Sequence, residues 1–231
     1  MEGSFQIHGR SVGDGSPAYI IAEMSGNHAG SIERALELIH AAKEAGADCI
    51  KIQTYTPDTM TIDCRNQYFQ IEKGTWEGDN LYSLYQKAYT PWEWQEELRD
   101  EAAKVGIDFL STPFDKTSVD FLEGLGVGFY KIASFELVDI PLLEYIASKN
   151  KPIIMSTAMG TLEEINEAVA AIYNTGNRQL ALMKCSSAYP AKSEEMNLCT
   201  IRDLKARFDI PVGLSDHSMG SFSAATAVAL G

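Results

Sequence analysis

Three lysines stand inside apolar runs of the sequence: Lys51 in "CIKIQ", Lys131 in "FYKIAS" and Lys184 in "LALMKCS". An ammonium group is almost never fully buried without a partner, because only a counter-charge offsets the cost of removing it from water. Three of them brought together repel one another unless an anion lies between them, so the pattern predicts a site for a phosphate or a carboxylate. For any single lysine the alternative is local: a nearby carboxylate such as Glu23 or Glu136, or a head that reaches solvent. Hydroxyls stand close to these runs. Thr112, Ser134, Ser187 and Ser215 can each donate to an anionic oxygen, and each is equally suited to cap a helix or form a turn.

The stretch "GLSDHSMG" (213–220) adds a histidine two residues after Ser215, and the chain has only four histidines. A neutral imidazole at 217 suits a metal ligand, a general base or a structural hydrogen bonder, and this residue alone does not choose between them. A metal there needs further ligands, with Glu23 one candidate within the chain. Lys184 opens a different chemistry, the Schiff base of a metal-independent class I aldolase, which requires a lysine whose pKa is depressed.

The elements that must position these groups follow from periodicity. "YIIAE" leads into "SIERALELIHAAKEAGA", where Ile32, Ala35, Leu36, Ile39 and Ala42 recur at helical spacing, Ser31 can cap the start and Gly46 the end. Six further strand-helix pairs follow, beginning at "CIKIQ", "DFLST", "FYKIAS", "PIIMST", "LALMKCS" and "PVGLS". Strands alternating with helices imply a parallel sheet with right-handed crossovers. Polar residues end nearly every strand, whereas an open doubly wound sheet concentrates its site at one switch point. The reading is therefore an α/β chain of the TIM (β/α)8-barrel type with about seven units present. On alternate strands of such a barrel, the three lysines are expected to converge near one rim. Ahead of the first unit, "FQIHGRSVGDGSPAY" is expected to form a hairpin turning at Gly-Asp-Gly and closing the barrel bottom. Residues 54–90, polar and aromatic, are expected to be a substrate-covering loop.

Composition excludes other classes. A chain of 231 residues that is 45% hydrophobic can bury one large core. A formal net charge of -13 repels phosphate backbones and anionic membranes, so nucleic acid and membrane are not expected partners. The four cysteines show no zinc or CxxC spacing, which fits a reducing cytoplasm. No signal-like start or membrane-length apolar run is present.

The stretches "IIAEMSGNHAGS", "IKIQTYTPDTM", "FLSTPFD", "YKIASFE", "IIMSTAM", "KCSSAYP" and "VGLSDHSMG", in this order at successive strand ends, resemble the sialic acid synthase family. That family condenses phosphoenolpyruvate with an amino sugar, and the resemblance covers nearly the whole chain. Within it, "QTYTPDT" and "LYSLYQKAYTPWEW" look most like the branch that makes pseudaminic acid from 2,4-diacetamido-2,4,6-trideoxy-L-altrose; N-acetylneuraminate and legionaminate synthases are the alternatives. A catalytically silent barrel that holds sugar or phosphoenolpyruvate is a further alternative, beside the aldolase. The resemblance implies that Lys51, Thr112, Lys131, Ser134 and Ser215 hold the phosphate and carboxylate of phosphoenolpyruvate. Ser187 stands where sialic acid members have asparagine. Gln53, Glu136 and Tyr189 match positions near the sugar, and Glu23 matches a carboxylate that handles water or proton transfer. His217 matches one of two histidines that bind a divalent metal, manganese or magnesium. The second histidine belongs to an eighth strand, followed by an antifreeze-like domain that supplies an arginine to the partner subunit of a homodimer. Neither lies within the 231 residues, so the expectation is a synthase barrel domain over residues 1–231, incomplete at its C-terminal end.

Overall fold

The computed structural model describes residues 4–13 and 15–231. The chain divides into two compact units, Tyr19–Val127 and the N-terminal stretch to Ala18 together with Gly128–Gly231. The second unit opens on an antiparallel hairpin of β1 (Ser4–Ile7) and β2 (Arg10–Gly13), with Ser4 opposite Gly13 and Ile7 opposite Arg10. Its turn is His8-Gly9, both at positive φ, the backbone that a two-residue hairpin loop demands. This corrects the expected turn at Gly-Asp-Gly, of which Asp14 lies outside the described residues. The His8 ring meets Phe129 edge-on at 5.9 Å, so the hairpin packs where the chain enters the next strand of its unit.

The Tyr19–Val127 unit is built on three parallel strands, β3 (Ile21–Glu23), β4 (Cys49–Thr54) and β5 (Asp108–Pro113), paired in that order. Between β3 and β4 runs helix α1 (Ile32–Glu44), whose Ser31 hydroxyl caps the Arg34 N–H and whose Ala35, Ile39 and Ala42 are buried, as its spacing predicts. Between β4 and β5 the chain makes α2 (Pro57–Met60), α3 (Leu81–Ala88) and α4 (Trp92–Val105), and α5 (Lys116–Leu125) follows β5. The 54–90 segment is thus a folded excursion with two helices of its own rather than a bare loop. Helices α4 and α5 end on Gly106 and Gly126 in the left-handed conformation, which glycine adopts without a Cβ penalty.

The other unit continues after its hairpin with four parallel strands, β6 (Tyr130–Ile132), β7 (Ile153–Ser156), β8 (Leu180–Cys185) and β9 (Val212–Ser215). Each is followed by a helix: α6 (Ile140–Ala147), α7 (Leu162–Asn174), α8 (Thr200–Phe208) and α9 (Phe222–Ala229). Thr161 and Glu164 form a capping box at the start of α7, which satisfies two orphan backbone donors reciprocally. The seven β/α pairs read from the sequence are all present among the described residues. Both faces of β6 to β8 are largely buried, with Ile153 and Leu182 at zero exposure on one face and Ile154 and Ala181 at 4% and 5% on the other, which explains why these strands read as continuous apolar runs. No helix among the described residues is long and apolar enough to cross a membrane.

Register decides which side chains share a face, because partners across a parallel ladder point the same way and successive residues alternate. In the three-stranded sheet Glu23 pairs with Lys51 and Gln53 with Thr112, so these four residues lie on one face. In the four-stranded sheet Lys131 pairs with Ile154, Ser156 with Met183 and Cys185 with Ser215. Lys131, Ser156, Cys185 and Ser215 therefore share a face. Gly213 lies on it too, beside Met183, whose thioether would stand 2.9 Å from any Cβ placed there.

Candidate active site

Lys131 is the most confined charge in the four-stranded unit, with 6% of its surface exposed. Its ammonium donates to Ser156 Oγ at 2.6 Å and to the Ile132 carbonyl at 2.7 Å. Burial pulls its pKa down to about 8, while the neighbouring Cys185 and Glu136 hold it up. Directly after β6 the chain tightens into a short 3-10 turn, Phe135–Val138, which carries Glu136. Glu136 Oε2 is buried without a hydrogen-bond partner among the described residues. Burial pushes this carboxyl up to about 7, with Asp139 adding to the rise and the Lys131 charge and a backbone N–H opposing it. A buried carboxyl oxygen without a hydrogen-bond partner is costly, which accords with the carboxyl holding its proton more tightly than usual.

The same unit gathers a second set of groups at the ends of β8 and β9. His217 Nδ1 lies 2.7 Å from the Ser186 carbonyl, and a carbonyl only accepts, so Nδ1 carries the proton. In the neutral ring Nε2 is then the acceptor, and the Tyr189 hydroxyl donates to it at 3.0 Å, with the two rings stacked at 4.0 Å. Cys185 Sγ stands 4.0 Å from His217 Nδ1. Burial raises the Cys185 thiol, but His217, Ser215 and Ser134 together outweigh it and leave the pKa below the ordinary value. Ser134 Oγ also accepts the Ala158 N–H at 3.2 Å, which fixes the hydroxyl at the end of β7. Ser134, Ser215, Tyr189 and His217 are thus brought together around Cys185.

One expectation fails here. Lys184 lies next to Cys185 and so on the opposite face of the sheet from Lys131, which removes it from the expected trio of converging lysines. Its ammonium turns to the Cys185 carbonyl at 2.8 Å and to Ser186 Oγ at 3.1 Å, and burial lowers its pKa. Ser187 is exposed beyond the strand end; its neighbour Ser186 makes the contacts. Ser156 and Cys185 were not singled out from the sequence. Ser156 was visible only as one more serine at a strand end, and Cys185 as an apolar strand residue.

In the three-stranded unit Lys51 forms an ion pair with Glu23 Oε2, the local-carboxylate alternative raised for it above. Glu23 Oε1 accepts the Ser25 N–H at 3.0 Å, so both carboxylate oxygens are engaged. Thr112 is buried and Gln53 half-buried on the same face, which keeps a cation, an amide and a hydroxyl together at the C-terminal ends of β4 and β5.

His217 has the form of a ligand, since its Nδ1–H is tied to a backbone carbonyl and leaves Nε2 as the coordinating atom. No group of three or more His, Cys, Asp or Glu side chains suited to a metal ion occurs among the described residues.

The NeuB family model matches residues 38–231. Over 213 residues, 92% of this chain and 62% of the relative, the sequence is 47% identical to a pseudaminic acid synthase of Campylobacter jejuni. It is 36% identical over 223 residues, 95% of this chain and 63% of the relative, to the N,N'-diacetyllegionaminic acid synthase of Legionella pneumophila. The chain thus spans about 62% of the length of the first of these relatives. Among solved structures, it is similar to the N-acetylneuraminic acid synthetase of Leptospira borgpetersenii in complex with citrate. That likeness has a TM-score of 0.89 at 30% identity and covers 100% of this chain and 76% of that one. It bears out the α/β, (β/α)8-type reading of the sequence.

Proposed function

The chain belongs to the NeuB family of sialic acid synthases, and from that premise we propose that its protein condenses phosphoenolpyruvate with 2,4-diacetamido-2,4,6-trideoxy-L-altrose to give pseudaminic acid and phosphate. The observation that carries the reading is the Lys131–Glu136 arrangement, a buried cation for an anionic substrate next to a buried carboxyl able to exist in either protonation state near neutrality. The choice of sugar leans on the higher identity to the pseudaminic acid synthase, 47%, than to the legionaminic acid enzyme, 36%. N-acetylneuraminate and legionaminate synthesis are the alternatives.

In this reading Lys131, with the hydroxyls of Ser134, Ser156 and Ser215, binds anionic oxygens of phosphoenolpyruvate. Such preorganised donors stabilise charge as it develops. Lys51, Gln53 and Thr112 present the same donor types on the other unit. The methylene carbon of phosphoenolpyruvate attacks the sugar aldehyde, forming the new carbon-carbon bond, and the aldehyde oxygen takes up a proton. Positive character is left on the second carbon of the former enol. Water adds there and gives up one proton, and the tetrahedral adduct collapses to the ketone as the C–O bond breaks, the electron pair going to the departing phosphate, which takes up the remaining hydroxyl proton. Glu136, whose carboxyl burial pushes up to about 7, and Glu23 are the carboxyl groups read as moving these protons, and the ion pair and hydrogen bond on Glu23 favour Glu136. A divalent cation, manganese or magnesium, would take Nε2 of His217 as one ligand and supply Lewis acidity toward the aldehyde. The protein is read as a homodimer.

The test is phosphate release from phosphoenolpyruvate with manganese, comparing the altrose sugar with N-acetylmannosamine, in this chain and in one extended to the full length of its relatives. Release with the altrose sugar alone supports the proposal. Release with N-acetylmannosamine moves the assignment to N-acetylneuraminate, and no release in any arm overturns it.

A further inference from the structure

The base of the 54–90 excursion is closed by a buried chain of hydrogen bonds, all within the Tyr19–Val127 unit. Thr54, where the excursion begins, donates to Gln95 Oε1 at 2.8 Å, and Ser111 Oγ lies 2.6 Å from Thr54 Oγ1. Gln95 Nε2 reaches the carbonyl of Thr90, where the excursion ends, at 3.4 Å. Trp92 repeats the closure by donating to the Tyr55 carbonyl at 3.1 Å. These bonds join the two ends of the excursion to each other, and one further residue joins them to a different loop. His28 belongs to the segment between β3 and α1 and has zero exposure, as Gln95 and Thr54 have.

The His28 tautomer follows from its partners. The Gly30 N–H, which can only donate, points at Nδ1 from 3.1 Å. The proton is therefore on Nε2, which donates to Thr90 Oγ1 at 3.2 Å. The ring meets Trp94 edge-on at 5.6 Å, and burial disfavours its charged form. A second contact runs beside this one. A Cβ on Gly26 would stand 3.0 Å from the Ala88 carbonyl oxygen and 3.2 Å from the Ala88 Cβ, so glycine at 26 lets the β3–α1 segment lie against the last turn of α3. That same segment begins at Glu23 and holds its carboxylate through the Ser25 N–H.

We propose that His28 is a positioning residue: its neutral imidazole, bonded to Thr90 and flanked by the Gly26–Ala88 contact, fixes the closing end of the 54–90 excursion against the segment that carries Glu23, and so governs how the protein holds its sugar. The sugar clause rests on the synthase reading above; the docking clause does not. The imidazole here acts as one acceptor and one donor in fixed positions. A glutamine amide supplies the same pair, whereas leucine supplies neither, and valine at 90 keeps the shape of threonine without the acceptor.

The experiment compares wild type with His28→Leu, Thr90→Val and His28→Gln, by hydrogen exchange of the 54–90 amides and by steady-state kinetics on the full-length protein. Faster exchange is expected in residues 81–90 of the leucine and valine variants, with β6 to β9 unchanged, and near-wild-type protection in the glutamine variant. In kinetics the leucine and valine variants raise the KM of the sugar about tenfold, leave the KM of phosphoenolpyruvate within about twofold and change kcat little. Exchange in 81–90 that matches wild type in both Thr90→Val and His28→Leu, or that rises throughout the chain, overturns the docking role. A sugar KM that does not move while exchange does overturns the sugar role. If wild type releases no phosphate with either sugar, the synthase reading and the sugar role fall together, and the exchange arm still decides the docking role.

Discussion

The Tyr189 hydroxyl donates to His217 Nε2 at 3.0 Å, occupying the nitrogen through which this imidazole would bind a cation. The tautomer is fixed from the other side by the Ser186 carbonyl, so the ring has no second lone pair to offer. Metal binding then competes with the tyrosine. Removing a hydrogen bond of this kind is worth about 1 kcal/mol net, or about a fivefold change in an equilibrium. Tyr189→Phe is expected to tighten manganese binding by about that factor, read as the loss of free-manganese paramagnetic resonance on titration. Unchanged affinity would show that Nε2 is not a ligand.

Lys131 separates binding from stability. Its ammonium is confined by burial, which lowers its pKa to about 8, so the folded state already disfavours the charge that methionine would remove. Lys131→Met is expected to keep or slightly raise the Tm while raising the KM of phosphoenolpyruvate at least about tenfold. A large fall in Tm would mean that the bonds to Ser156 and Ile132 hold the strand ends together more than they serve a ligand.

Glu136 gives a pH dependence of known sign. Burial pushes its carboxyl up to about 7 in the folded chain, against 4.5 for an ordinary glutamate. A raised carboxyl pKa means the folded state holds the proton more tightly, so this contribution to stability is whole below about pH 4.5. It is lost as pH rises through about 7. Glu136→Gln removes the titration, and its Tm relative to wild type should rise between those limits by on the order of 5 °C. The same variant should lose about a hundredfold or more in kcat if the group moves protons. A wild-type rate would assign the proton transfers elsewhere, with Glu23 next in line.

The elements themselves were legible because each carried its own punctuation: Ser31 and Thr161 at helix starts, Gly106 and Gly126 at helix ends. The excursion helices were not, since Pro57–Met60 and Leu81–Ala88 are too short to show a clear period. The hairpin turn was sought at the glycine pair flanking Asp14, but His8 takes the positive φ that sequence reasoning reserves for glycine. Lys184 was misplaced for a definite reason. In "LALMKCS" apolar residues stand on both sides of the strand, so no alternation in the letters reveals which face the lysine takes. Only the pairing of Cys185 with Ser215 and of Ser156 with Met183 does so. Glu136 was found by resemblance, while its orphaned oxygen and raised pKa depend on a burial that no local pattern records.

The same parity bears on the competing aldolase reading. A Schiff-base lysine needs a lowered pKa and an open approach for a carbonyl carbon. Lys184 has the first through burial. Against the second, its ammonium is turned to the Cys185 carbonyl and Ser186 Oγ, on the face away from Lys131. Incubation with pyruvate or the sugar, followed by borohydride, is therefore expected to leave the intact mass unchanged, and Lys184→Arg should retain phosphate release within about threefold of wild type. A reduced adduct on the peptide that contains Lys184 would reverse this: the ammonium would have to leave both partners to reach a carbonyl, and the condensation would have to proceed through a covalent enamine rather than through attack by phosphoenolpyruvate itself.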